Sequence, residues 1–137
     1  MTLPRVYVDA EDVVKSWLLT TSVAPLVSNK IYMAMPKGTP LPSVILSRVG
    51  GSPQAGSDVP ADEARISFDI YASQRPQAKA ITAALVSEIE SLAYLDAVVT
   101  PVGRLDAAEV INVLWLPDPV SDTPRYIVDA RMVVRAV

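Results

Sequence analysis

Between Arg65 and Leu92 a half-buried strand runs straight into an amphipathic helix, and this pairing restricts the fold more than any other feature. Ile66, Phe68, Ile70 and Ala72 alternate with Arg65, Ser67, Asp69 and Tyr71. A period of two marks a sheet that is dry on one face. Ser73-Gln74-Arg75-Pro76 then opens a helix, with Ser73 as a small polar capping candidate. A proline in the first turn fits there, because its missing N–H would be unpaired anyway. Ala78, Ile81, Leu85, Ile89 and Leu92 follow at spacings of three and four, one apolar stripe along a helix. A dry strand face followed by a dry helix stripe requires the helix to lie across the sheet. Neither face carries a strong nucleophile or a metal ligand, so this segment reads as scaffold.

The flanking sequence predicts the rest of a single domain spanning residues 1–137. Asp9 caps a first helix whose Val13, Val14, Trp17 and Leu18 form an apolar stripe. A short helical turn is expected around Ala24 to Val27, and a short strand at Lys30 to Met33. Pro36, Pro40 and Pro42 then forbid regular structure. Ser43 to Val49 reads as a strand, with Val44, Leu46 and the stem of Arg48 on one face. Residues 50–62, rich in Gly, Ser and Pro, read as a long mobile loop before a returning strand from about Glu63 to Ala72. An extended segment is expected at Val98 to Val102 and a strand at Glu109 to Leu116. A turn-rich passage follows through Pro124, and then a closing strand in which Tyr126, Val128, Ala130, Met132 and Val134 share one face. Strands that come in groups favour an α+β fold: a mostly antiparallel or mixed sheet with an N-terminal helix and one long helix packed against it.

Composition removes whole classes of chemistry. The chain has no cysteine and no histidine, which excludes disulfides, thiolate nucleophiles and the usual general base and metal ligand. The net charge of −3, with no run of Lys or Arg, argues against a protein that wraps nucleic acid. No apolar run approaches the ~20 residues that span a bilayer, and the first residues lack a secretory pattern. The expected setting is soluble and intracellular.

The remaining candidates are weak as chemistry. Gly51-Ser52-Pro53-Gln54-Ala55-Gly56-Ser57 imitates phosphate-loop glycine spacing but lacks the lysine and precedes a strand. Asp118 and Asp122 could form a carboxylate pair, but aspartates beside Pro and Ser ordinarily form turns. Asp9, Glu11 and Asp12 suit a helix start, and Asp58, Asp62 and Glu63 lack the spacing of a calcium loop. Trp17, Tyr32, Trp115 and Tyr126 read as core or interface anchors rather than a ligand cluster. Arg65, Arg131 and Arg135 lie opposite the best apolar rows, and Val133 and Val137 share the face of the last two. Mixed apolar and arginine surface is what an interface uses. The residues expected at a subunit or tube interface are therefore Arg48, Gln54, Asp58, Asp62, Arg65, Asp118, Asp122, Arg131 and Arg135. No cofactor or metal is expected.

The order of elements resembles the tail-terminator (tail-completion) proteins of long-tailed bacteriophages across most of the chain. The resemblance rests on Pro40-Leu41-Pro42-Ser43-Val44-Ile45-Leu46, on Ile66-Ser67-Phe68-Asp69-Ile70-Tyr71-Ala72 running into its helix, and on Arg125-Tyr126-Ile127-Val128-Asp129-Ala130-Arg131. It implies a non-enzymatic virion protein that forms a ring, usually a hexamer, at the head-proximal end of the tail tube. Such a ring stops tube growth and joins the tail to the head–tail connector, so the implied partners are further copies, the major tail tube protein and the connector protein. DNA would pass through the lumen without specific binding, and no membrane is implied. The alternatives are another neck component, such as a head-closure or connector-adaptor protein, or a small-molecule-binding α+β domain.

Overall fold

The computed structural model describes residues 8–38, 40–53 and 61–136. Helix α1 (Ala10–Leu18) starts at Asp9, whose carboxylate accepts from the Glu11 N–H at 2.9 Å and the Asp12 N–H at 3.4 Å. Its Val13, Val14, Trp17 and Leu18 are buried, as their spacing requires. The short α2 (Val23–Leu26) follows, then β1 (Ile31–Tyr32), β2 (Ser43–Pro53) and β3 (Ala61–Tyr71). After α3 (Arg75–Ser91) and a 3-10 turn at Leu92–Tyr94 come β4 (Val98–Thr100), β5 (Gly103–Trp115) and β6 (Arg125–Arg135).

The six strands form one sheet in the order β1-β2-β3-β6-β5-β4. The β1–β2 pair is parallel and all others are antiparallel, the mixed sheet of an α+β fold. Ile66, Phe68, Ile70, Val128, Ala130, Met132 and Val134 point to one face and are fully buried. They form a single core with the α1 stripe and with Ala78, Ile81, Leu85, Ile89 and Leu92 of the long helix. The helices therefore cover one face, as the strand-to-helix passage demands.

Four expectations need correction. The glycine-rich stretch is not all loop: Gly50–Pro53 continue β2, and Ala61 and Asp62 already belong to β3. A β-bulge between Arg48 and Gly50 lets the ladder continue with Gly51 opposite Ala64. Gly51 has φ +90°, and a Cβ there would stand 2.1 Å from the Glu63 carbonyl oxygen. Its glycine thus serves close strand approach rather than a loop. The remainder, 54–60 with Gln54 and Asp58, lies outside the described residues.

Secondly, β5 begins at Gly103, six residues before the expected Glu109. Bulges between Leu105 and Ala107 and between Val110 and Asn112 break the period of two and hide the strand from a periodicity reading. Thirdly, the cap of α3 is Gln74, with no side-chain bond, while Ser73 stands one position earlier with its Oγ 3.5 Å from Gln77 Oε1. Fourthly, β3 is not dry on one face alone, for the face away from the helices also buries a side chain. Tyr71 is buried, with the Arg125 guanidinium 5.7 Å from its ring centre.

Candidate assembly interface

The charged residues sort into two groups on opposite faces of the sheet. On the helix-covered face, β2 and β3 bring Arg48 and Asp62 together in a two-pronged ion pair. One prong is Arg48 Nη2 to Asp62 Oδ1 at 2.8 Å, and the other joins Nη1 to Oδ2. Arg48 Nε also donates to the Gly50 carbonyl at 3.0 Å, and its backbone N–H donates to Glu11 Oε2 at 3.2 Å. The bond to Asp62 raises the Arg48 pKa. The ion pair joins β2 to β3 and the backbone bond ties β2 to the start of α1, so both side chains are engaged within the fold.

The open face carries a second network across three strands. Arg131 on β6 donates to Glu63 on β3 at 3.1 Å and to Glu109 on β5 at 2.8 Å. Those two carboxylates, Glu63 first, raise its pKa. Arg65 lies directly across the ladder from Arg131, exposed, with no hydrogen bond or ion pair among the described residues. Near the end of β6, Arg135 Nε pairs with Asp106, which also accepts from Arg104 Nε at 2.6 Å. Val137 lies outside the described residues.

Asp118 and Asp122 both fall in the β5–β6 turn. Asp118 Oδ1 accepts from the Val120 N–H at 2.9 Å and the Ser121 N–H at 3.0 Å, the role of a turn former. Asp122 takes φ +58° and its N–H donates to the Asp118 carbonyl at 2.8 Å. The Ser121 and Val120 N–H groups hold the Asp118 pKa below its ordinary 3.8. The unfolded chain therefore binds the extra proton first on acidification. Stability from this turn is present above pH 3.8 and is lost as pH falls through the lower folded value. An NMR titration of the Asp118 carboxyl carbon should give a midpoint below 3.8, and an unshifted midpoint would refute the capped turn.

The sequence reading missed the apolar surface along β5. Strand β4 pairs only with Gly103, Arg104 and Leu105, so among the described residues the edge of β5 from Asp106 to Trp115 carries no strand. Ile111, Val113, Leu114 and Leu116 are exposed along it. The other edge is blunted, since Glu11 occupies the Arg48 N–H and β2 carries a bulge and ends in Pro53. The signal was the apolar run Val110-Ile111-Asn112-Val113-Leu114-Trp115-Leu116, which reads equally well as a buried strand. Of the four aromatics, Trp17 is core, and Trp115 packs at a 54° tilt 4.9 Å from Tyr126, under the Arg75 guanidinium.

The concavities are modest. One of about 280 Å³ on the open face is lined by Gly51, Glu63, Arg65, Ile111 and Arg131. Another, of about 310 Å³, lies between the end of α3 and β5, lined by residues including Glu90, Tyr94 and Glu109. Among the described residues, no helix is long and apolar enough to cross a membrane.

The family described as "Tail completion protein gp17" matches residues 13–135, from the first turns of α1 to the end of β6. The chain belongs to this tail-completion family. The resemblance read from the β2, β3 and β6 segments is thereby confirmed, and the chain is a structural protein of phage-type virions. No curated protein matches it in sequence. Among solved structures, a chain from the "Virion of native gene transfer agent (GTA) particle" is similar, with a TM-score of 0.63 and 19% identity. The alignment covers 93% of this chain and 95% of the other, so the two share one fold over nearly all of their length.

Proposed function

We propose that this protein forms a ring at the head-proximal end of the phage tail tube, where it ends tube growth and joins the tail to the head connector. The observation that carries this reading is the tail-completion match along nearly the whole domain. The open β5 edge supports it, because an unpaired apolar edge is a template for contact with another chain. The role is structural and non-catalytic, and the partners are further copies, the tube protein and the connector. A net charge of −3 suits a lumen that lets DNA pass, since carboxylates repel phosphates.

Native mass spectrometry over a concentration series, with and without purified tail tubes, tests the proposal. A closed oligomer, six copies in the simplest case, is expected either alone or on the tube end. A chain that stays monomeric and leaves tube ends bare in electron micrographs would rule it out.

A further inference from the structure

Building on the ring reading, we infer that the β5–β6 turn of one copy seats in the Arg65 depression of the next. There the Asp122 carboxylate meets the Arg65 guanidinium and Val120 covers Ile111. The receiving surface is the 280 Å³ depression of the open face. Its lining holds Arg65, Arg131 and Glu63, and Glu109 just outside it shares Arg131 with Glu63, which among the described residues leaves Arg65 as the guanidinium without a carboxylate. Arg131 is held by Glu63 and Glu109, whereas Arg65 has no partner among the described residues. Two arginines directly opposite in a ladder repel each other, and an incoming carboxylate relieves that repulsion. Gly51 leaves the rim without a side chain, and Ile111, 45% exposed, supplies an apolar wall.

The turn is the complementary shape. From Leu116 to Pro124 it carries Asp118 and Asp122 and no basic residue. Val120 at its tip is 95% exposed, an apolar side chain displayed to solvent. Asp118 bonds the Val120 and Ser121 N–H groups, and the Asp118 N–H donates to the Thr123 carbonyl at 3.0 Å. Such a turn is ordered before it meets a partner, which lowers the entropic cost of docking. It cannot reach its own depression. Arg131 lies six positions along β6 from Arg125, roughly 20 Å of strand at about 3.3 Å per residue. A neighbouring copy must supply it, and two unlike patches meeting head to tail are what closes a ring.

The test uses the full-length chain under the conditions in which the wild type assembles, with tubes added if assembly needs them. Arg65→Glu and Asp122→Arg should each weaken assembly about tenfold or more, because each sets like charges face to face. Both residues are exposed, so the thermal midpoint of Arg65→Glu should stay at the wild-type value and that of Asp122→Arg should fall only slightly, by the cost of arginine at φ +58°. Asp122→Asn, which suits that φ, should keep the midpoint and weaken assembly less. The two single variants, mixed in equal amounts, should co-assemble, since each mutant patch then finds its opposite on the other chain. Native mass spectra would show rings with an even number of subunits, alternating in mass. Single variants that assemble like the wild type, or a mixture no better than its components, overturn this contact while leaving the ring reading intact. A wild-type chain that never oligomerises, with or without tubes, overturns both.

Discussion

Phe68→Ala should lower the unfolding free energy by about 3–5 kcal/mol, the largest loss expected from any single side chain here. Phe68 is the chain's only phenylalanine and is fully buried at the middle of β3. The ladder places Leu46 on one side of it and Val128 on the other, both fully buried. Core is also built from the α1 and α3 stripes, so the surroundings are tied to helices that cannot simply collapse inward. The cost therefore combines lost transfer energy with an unfilled cavity. Domains of this size are stable by about 5–15 kcal/mol, so the variant should be near the edge of folding. Urea denaturation of both proteins measures it, and an unchanged midpoint would mean that the β3 faces are assigned the wrong way round.

Arg48→Ala should produce the second largest loss. Asp62 is only 5% exposed and would lose both of its guanidinium bonds without gaining access to water. A fully buried pair broken this way costs about 3–5 kcal/mol. The Arg48 side chain is 31% exposed, so water screens part of the interaction and the expected loss is about 2–3 kcal/mol. Arg48→Met combined with Asp62→Leu should recover most of it, because the apolar pair removes the stranded charge along with its partner. Denaturation of the single and double variants decides between the two accounts. If the single change costs nothing, the pair is solvent-screened and adds nothing to the pairing of β2 with β3.

The fold was legible where the chain's own periodicity carried it. Strand β3, helix α3 and strand β6 each alternate or recur cleanly over about ten residues or more, and each buries the side chains its pattern nominated. Strand β5 was half legible, because the bulge between Leu105 and Ala107 shifts its faces and interrupts the alternation over Gly103–Ala108. The glycines at 50 and 51 pointed to a loop because glycine's freedom suits loops and bulged strands alike. At the candidate interface, the arginines and aspartates were nominated from their strand faces and loops. Their roles were not separable, since Arg48 and Arg65 look the same in sequence while one is paired inside the fold and the other is open.

The sequence alone determined the α+β class, the single helix-covered face, the core stripe and membership of the tail-completion family. The first three follow from hydrophobic periodicity, capping and the order of elements, which act between residues a few positions apart, while the family rests on the resemblance of the β2, β3 and β6 segments and the match over residues 13–135. Only the tertiary structure decided which charges are satisfied. Arg48 finds Asp62 across 14 positions, and Arg131 finds Glu109 across 22 and Glu63 across 68. Strand order and bulged register choose those partners. Electrostatic attraction depends on distance in space, and the chain's local pattern does not encode that distance.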